Sequence, residues 1–206
     1  MGESTMAFFV GELMEIHEIL WHGRGGQGVV LAAQILAEAA YIHGFRGVTS
    51  APTFGPERRG APLTASTRIS DEPVRTFSQV APADIAVVLD ESLLDAATSE
   101  GMLRRNGLVI INTPLKPEEI EADGCLRVAT VDAAGIAWEH HLSMGGVPVV
   151  NTPLLGALCR ASGLVSLESI EEGIKKKMTR SKASFNFQAI RTAFERTEVW
   201  VRNGKD

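Results

Sequence analysis

Seven residues near the start of the chain, His22-Gly23-Arg24-Gly25-Gly26-Gln27-Gly28, pair closely spaced glycines with one guanidinium. Glycines let a backbone turn sharply and approach a ligand closely, and a helix opening behind them points free N–H groups at negative charge. Gly23, Gly25 and Gly28 satisfy G-x-G-x-x-G, a spacing that a ligand-free strand-to-helix turn also satisfies. Arg24 favours an anion site, because a guanidinium can grip phosphate or carboxylate bidentately. His22 beside the turn is either a functional contact or a hydrogen-bonded core histidine.

A second basic stretch lies in Ala51–Pro62, where three prolines and two glycines rule out a helix or a central strand. Prolines lower the entropy of a free loop, so Phe54, Glu57, Arg58 and Arg59 are held ready. The stretch is either a solvated Glu-Arg-Arg loop or an anion-binding or docking loop beside the glycine turn. Autonomous chemistry is harder to find. The chain has no Gly-x-Ser-x-Gly elbow, no His-Glu-x-x-His pair and no P-loop. His17, His43, His140 and His141 lack metal-ligand spacing; His140 and His141 read as structural or exposed. Cys125 and Cys159 cannot supply the four thiolates of an iron–sulfur cluster and read as packing residues in a reducing compartment. The pattern is that of a binding and docking partner whose catalysis needs groups supplied elsewhere.

The elements that position these residues follow from periodicity. Ile16–Trp21 suits a strand and Gln27–Tyr41, rich in helix formers, a helix. That helix leaves only Gln34 and Glu38 strongly polar after Gln27, so it is covered on most sides, by the sheet or by another chain. Arg46–Ser50 is the second strand. It carries no acid to grip a ribose, which disfavours an NAD dehydrogenase. Leu63–Ile69 alternates like a strand, with Val74–Phe77 expected to return as its hairpin partner. Ala83–Asp90 reads as a buried parallel strand with Asp90 and Glu91 at its carboxyl end. A helix over Ser92–Leu103, strands Leu108–Ile111 and Leu126–Val131, and a helix capped by Thr152 follow. Another helix begins at Leu167 after Ser166. Its Lys175-Lys176-Lys177 run is a solvated, dipole-favoured end, and Phe187, Ile190 and Phe194 mark a last helix.

Strands alternating with helices predict an α/β fold, a mostly parallel Rossmann-like sheet with helices on both faces, a β-hairpin insertion and a helical C-terminal segment. Residues 1–15 read as a tail, 16–180 as the main domain, and 181–206 as a C-terminal helix or docking arm. With 206 residues and 45% hydrophobic content the chain can build one well-packed domain. A net charge of −5 advertises no nucleic-acid face, and no stretch approaches a membrane span. The apolar run Ala7–Val10 is too short for a signal-peptide core, so the expected location is cytoplasmic.

Trp21–Gly28 together with Phe54-Gly55-Pro56-Glu57-Arg58-Arg59-Gly60-Ala61-Pro62 closely resembles the gamma subunit of 2-oxoacid:ferredoxin oxidoreductases. The resemblance continues through Val88-Leu89-Asp90, Asn112-Thr113-Pro114, Asn151–Ala157 and Gly163–Glu168, covering nearly everything from Ile16 to Met178. It implies a complex that decarboxylates a 2-oxoacid, such as pyruvate or 2-oxoglutarate, on thiamine diphosphate. Electrons would pass through iron–sulfur clusters to ferredoxin, and the acyl group would leave on coenzyme A. Thiamine diphosphate and the clusters would belong to partner alpha, beta and ferredoxin-like delta subunits. The gamma chain would contribute coenzyme A binding and assembly. Carried onto this sequence, the coenzyme A contacts are Arg24, Gly25, Gly26, Gln27, Gly28, Arg58 and Arg59. A stand-alone Rossmann-type nucleotide-dependent oxidoreductase and a purely structural assembly subunit are the alternatives.

Overall fold

Apolar Ile19 and Trp21 alternate with Glu18, Leu20 and His22 along β1 (Ile16–Arg24), so one face of the strand must meet a helical layer. The computed structural model describes residues 16–52, 59–74, 82–122 and 127–202. Within them the strands are β1, β2 (Gly47–Pro52), β3 (Pro62–Ser70), β4 (Ala83–Val88), β5 (Leu103–Asn112), β6 (Arg127–Val131), β7 (Ser143–Met144), β8 (Val147–Pro148) and β9 (Glu198–Val201). The helices are α1 (Val29–His43), α2 (Leu94–Thr98), α3 (Ala133–Glu139), α4 (Asn151–Ser162), α5 (Leu167–Lys177) and α6 (Arg180–Arg196). The main sheet has the order β2-β3-β1-β4-β5-β6-β9, and β7 and β8 form a separate small hairpin. Strands β1, β4, β5 and β6 pair in parallel, whereas β3 and β9 run against their neighbours.

One face of the sheet carries the main core. Trp21, Ile35, Leu36, Ile110, Leu154, Leu155, Leu158, Ile170 and Ile190 are buried there, drawn from β1, β5, α1, α4, α5 and α6. Trp21 is fully buried, and its indole N–H donates to Thr67 Oγ1 at 3.1 Å. Thr67 in turn donates to the Ala33 carbonyl at 3.2 Å. A buried tryptophan needs such a partner, and this one ties β1, β3 and α1 together. The opposite face has a thinner cover, with Val88, Val109, Ile111 and Val128 under Leu93 and Ala97 around α2.

Several expectations are corrected here. The strand over Leu63–Ile69 exists as β3, but it lies inside the sheet and pairs with both β1 and β2. Both sides of β3 are therefore taken. Val74 is not in a strand, and residues 75–77 lie outside the described residues. The antiparallel pair is β2–β3, and residues 53–58 between them lie outside the described residues. The helix expected over Ser92–Leu103 shortens to a 3-10 turn, Glu91–Leu93, followed by α2. It ends at Ser99, whose ψ of 156 leaves the helical region, and Leu103 already belongs to β5. Thr152 is not a cap, because α4 begins at Asn151 and the Thr152 hydroxyl donates to Asn186 Oδ1 at 2.7 Å. Within the chain itself α1 is covered by the sheet and by α5, which leaves Gln34, Tyr41, Ile42 and His43 exposed. The C-terminal residues include β9, an edge strand on β6 that no periodicity announced.

Candidate functional site

The ends of β1 and β4 lie side by side, with Trp21 opposite Val87 and His22 opposite Val88. That pairing brings the glycine turn beside the turn after β4. Gly28 closes the first turn with φ 78, a left-handed conformation suited to glycine, and α1 starts directly behind it. Asn151 fits against the same glycine, donating from Nδ2 to the Gly28 carbonyl at 3.0 Å. A Cβ at Gly28 would stand 2.3 Å from that nitrogen, so the close approach also demands glycine. The N-terminus of α1 has no side-chain cap and no acid in its first turn. Such a helix end favours a negative ligand.

The turn is braced by the segment leading into β3. Gly25 N–H donates to the Ala61 carbonyl at 2.9 Å, and Gly60 N–H donates to the Gly25 carbonyl at 3.0 Å. Inside the turn, Gln27 Oε1 accepts from the Arg24 N–H at 2.7 Å. The Arg24 side chain turns inward: Nε donates to Asp90 Oδ2 at 3.0 Å, Nη1 to the Gly60 carbonyl at 3.1 Å and Nη2 to Ser92 Oγ at 2.7 Å. Asp90 also accepts from Gln27 Nε2 at 3.3 Å and from both the N–H and the hydroxyl of Ser92. Burial works to raise the Asp90 pKa. The Ser92 hydrogen bonds and the Arg24 guanidinium outweigh it and hold the carboxyl below its ordinary range.

Arg59 is placed differently. It is exposed and makes no hydrogen bond or ion pair among the described residues. Its side chain reaches from the glycine turn, where a Cβ at Gly26 would lie 3.8 Å from Arg59 Cγ, toward the tip of the β7–β8 hairpin. There a Cβ at Gly145 would lie 3.9 Å from Arg59 Nη2. Exposed Gly26, the uncapped start of α1 and the Arg59 guanidinium thus share one corner. Of the expected contacts, Arg24, Gly25, Gly26, Gln27, Gly28 and Arg59 come together, while Phe54, Glu57 and Arg58 lie outside the described residues. Sequence reasoning missed Asp90, Ser92 and Asn151 as parts of this corner. Asp90 was legible at the end of β4, but its pairing with Arg24 needed the strand order.

Other features contribute less to anion binding. A cleft of about 430 Å³ at the carboxyl ends of β5 and β6 is lined by Thr113, Thr130, Asp132, Glu139, Arg196 and Glu198. Its arginine is paired with Glu139 at 2.7 and 3.0 Å, so the lining is net acidic and repels phosphate. Burial pushes the Cys159 thiol up to about 12, so it stays protonated as a packing residue. Cys125 lies outside the described residues. No three His, Cys, Asp or Glu side chains converge to hold a metal among the described residues. His140 Nε2 lies 2.9 Å from Thr192 Oγ1 and His141 is exposed, as a structural reading of that pair requires. No helix among the described residues is long and apolar enough to cross a membrane.

Comparison with known proteins places this architecture. Residues 18–196 match the family model for pyruvate ferredoxin/flavodoxin oxidoreductase. The chain is 47% identical, over 186 residues, to the pyruvate/ketoisovalerate oxidoreductases common subunit gamma of Pyrococcus furiosus, covering 89% of this chain and 98% of that one. It superposes on the pyruvate oxidoreductase subunit PORC of Thermotoga maritima with a TM-score of 0.73 and 37% identity, covering 89% and 98% of the two chains. The fold also recurs within a longer chain, the 2-oxoglutarate:ferredoxin oxidoreductase of Magnetococcus marinus. There the TM-score is 0.68 at 19% identity, covering 86% of this chain and 30% of that one. The chain belongs to the pyruvate ferredoxin/flavodoxin oxidoreductase family, as a gamma-type subunit of an oxidoreductase.

Proposed function

We propose that this chain is the gamma subunit of a complex that oxidatively decarboxylates a 2-oxoacid to acyl-coenzyme A, carbon dioxide and reduced ferredoxin. Its own contribution is to bind coenzyme A and to help assemble the complex. Thiamine diphosphate and the iron–sulfur clusters sit on partner alpha, beta and delta subunits, which also choose the oxoacid. The name of the Pyrococcus furiosus relative supports that division, since one gamma subunit there is common to pyruvate and ketoisovalerate enzymes. The cytoplasm is the expected location.

The observation that carries the coenzyme A reading is Arg59, an exposed guanidinium that has no partner among the described residues and lies beside Gly26 and the uncapped start of α1. Coenzyme A presents several phosphates, and oriented N–H groups with an exposed arginine suit them. Arg58, adjacent in sequence, is assigned to the same anionic ligand. In the assembled complex, Arg59→Ala is expected to raise KM for coenzyme A roughly tenfold, since a hydrogen bond to a charged group contributes about 1.5–3 kcal/mol. Neither kcat nor KM for the oxoacid should follow. The reading fails if KM for coenzyme A is unchanged.

A second reading, assembly alone, draws on exposed apolar side chains around the hairpin. Trp138 is 50%, Met144 69% and Val147 53% exposed. Under that reading Arg59→Ala weakens co-purification of the partners and leaves coenzyme A kinetics untouched.

A further inference from the structure

The two described arginines of this corner are not equivalent. Each nitrogen of the Arg24 guanidinium already donates to an acceptor within the chain, on Asp90, Gly60 and Ser92. These acceptors belong to two different segments, so Arg24 joins the glycine turn to the start of β3 and to the turn after β4. Its charge is matched by Asp90, whose two oxygens receive Arg24, Gln27 and Ser92. Nη1 and Nη2 of Arg24 each keep one further N–H, but a phosphate using them would meet the Asp90 carboxylate, 24% exposed, on the same guanidinium. Taking Arg24 over entirely would leave that carboxylate unpaired. Among the described residues Arg59 meets no such competition. Its backbone neighbour Gly60 is held on both sides, by its N–H to Gly25 and by its carbonyl to Arg24.

We infer that Arg24 is a positioning residue that acts through Asp90 and Gly60 to fix Arg59 and the glycine turn, and makes no contact with the coenzyme's phosphates. The assignment rests on the coenzyme A reading for its effect on kinetics, and on the structure alone for its effect on the turn.

The test uses the assembled complex with Arg24→Ala, Arg24→Lys, Asp90→Asn, the Arg24→Ala/Asp90→Asn pair and Arg59→Ala. Steady-state kinetics are run with coenzyme A as acceptor. Amide hydrogen exchange is followed at residues 24–28 and 59–61. Arg24→Ala and Asp90→Asn are each expected to raise KM for coenzyme A about tenfold without a matching fall in kcat, and to speed exchange in both segments. The double variant should be no worse than the worse single one, because both remove the same tie. Arg24→Lys should not rescue, since an ammonium cannot reach three acceptors in a plane. Arg59→Ala should raise KM and leave exchange alone. If Arg24→Ala raises KM while Asp90→Asn leaves it unchanged or lowers it, Arg24 touches the ligand and the inference is overturned. Unchanged exchange in both variants also overturns it, whatever the kinetics. If exchange responds but Arg59→Ala leaves KM for coenzyme A unaltered, the coenzyme A reading is what fails.

Discussion

Replacing Gly156 with Ala is expected to destabilise the chain by about 2 kcal/mol or more, although alanine is the better helix former. Gly156 lies within α4, where α6 crosses it. A Cβ there would stand 2.0 Å from the Ile190 carbonyl oxygen and 3.0 Å from the Phe194 nitrogen. Both are backbone atoms of a helix, so no side chain can swing aside and the two helices must separate. Overpacking of that kind costs about 1–3 kcal/mol and sometimes more, against a propensity gain of roughly 1 kcal/mol for leaving glycine. The clash distance puts this site at the costly end. Each kcal/mol shifts Tm by about 2–4 °C in a chain of this size, so a fall of at least about 4 °C is expected by differential scanning calorimetry. A rise in Tm would mean that α4 and α6 do not approach as closely as described.

Lowering pH from 7 to 4 is expected to remove about 3 kcal/mol of stability through His22 alone. The residue is 5% exposed, and burial lowers its pKa to about 4 from an ordinary 6.5. Among the described residues its Nε2 atom has no hydrogen-bond partner. The folded chain therefore refuses a proton that the unfolded chain accepts. As pH falls through 6.5 the unfolded state gains that proton first, and stability declines until the folded pKa is reached. About 2.5 units at 1.36 kcal/mol each set a limit of about 3.4 kcal/mol, of which about 3 is lost between pH 7 and pH 4. His22→Phe keeps the ring shape and removes the titration. Chemical denaturation at pH 7 and pH 4.5 should show a smaller loss in that variant by about 2 kcal/mol or more. Equal losses in both proteins would show that His22 is not buried in neutral form.

How much of this was legible depends on the range of each interaction. The glycine turn, α1 and the buried run of β4 are local patterns of residue type, and they stand close to where periodicity put them. So does Ser166 before α5, whose hydroxyl accepts from the Ser169 N–H at 3.2 Å. Strand neighbours are a different matter. The alternation of Leu63–Ile69 suits a two-stranded insertion as well as a strand between two others, and only long-range pairing with β1 decides. The site shows the same limit. Arg24 looked like an anion donor because its residue type and loop allowed it. Asp90, 66 positions away, was noted at the end of its strand, yet their bond follows only from β1 and β4 being neighbours. β9 is four residues long and follows directly on α6, too short for alternation to separate it from a fraying helix.

The place of β3 also limits what descent by point substitution can reach. Dinucleotide enzymes grip the ribose from the end of a strand lying next to the one that leads into the glycine turn. In this chain β3 stands between β1 and β2, and adjacent strands are about 4.8 Å apart, so β2 ends roughly 10 Å from β1. An acid introduced at Ala51 or Pro52 would stand one strand too far away. The space it would have to reach across is occupied by the chain entering β3, where Arg59 pairs with Gly25. Gripping a ribose at this turn would therefore take a change in the sheet, not one new side chain.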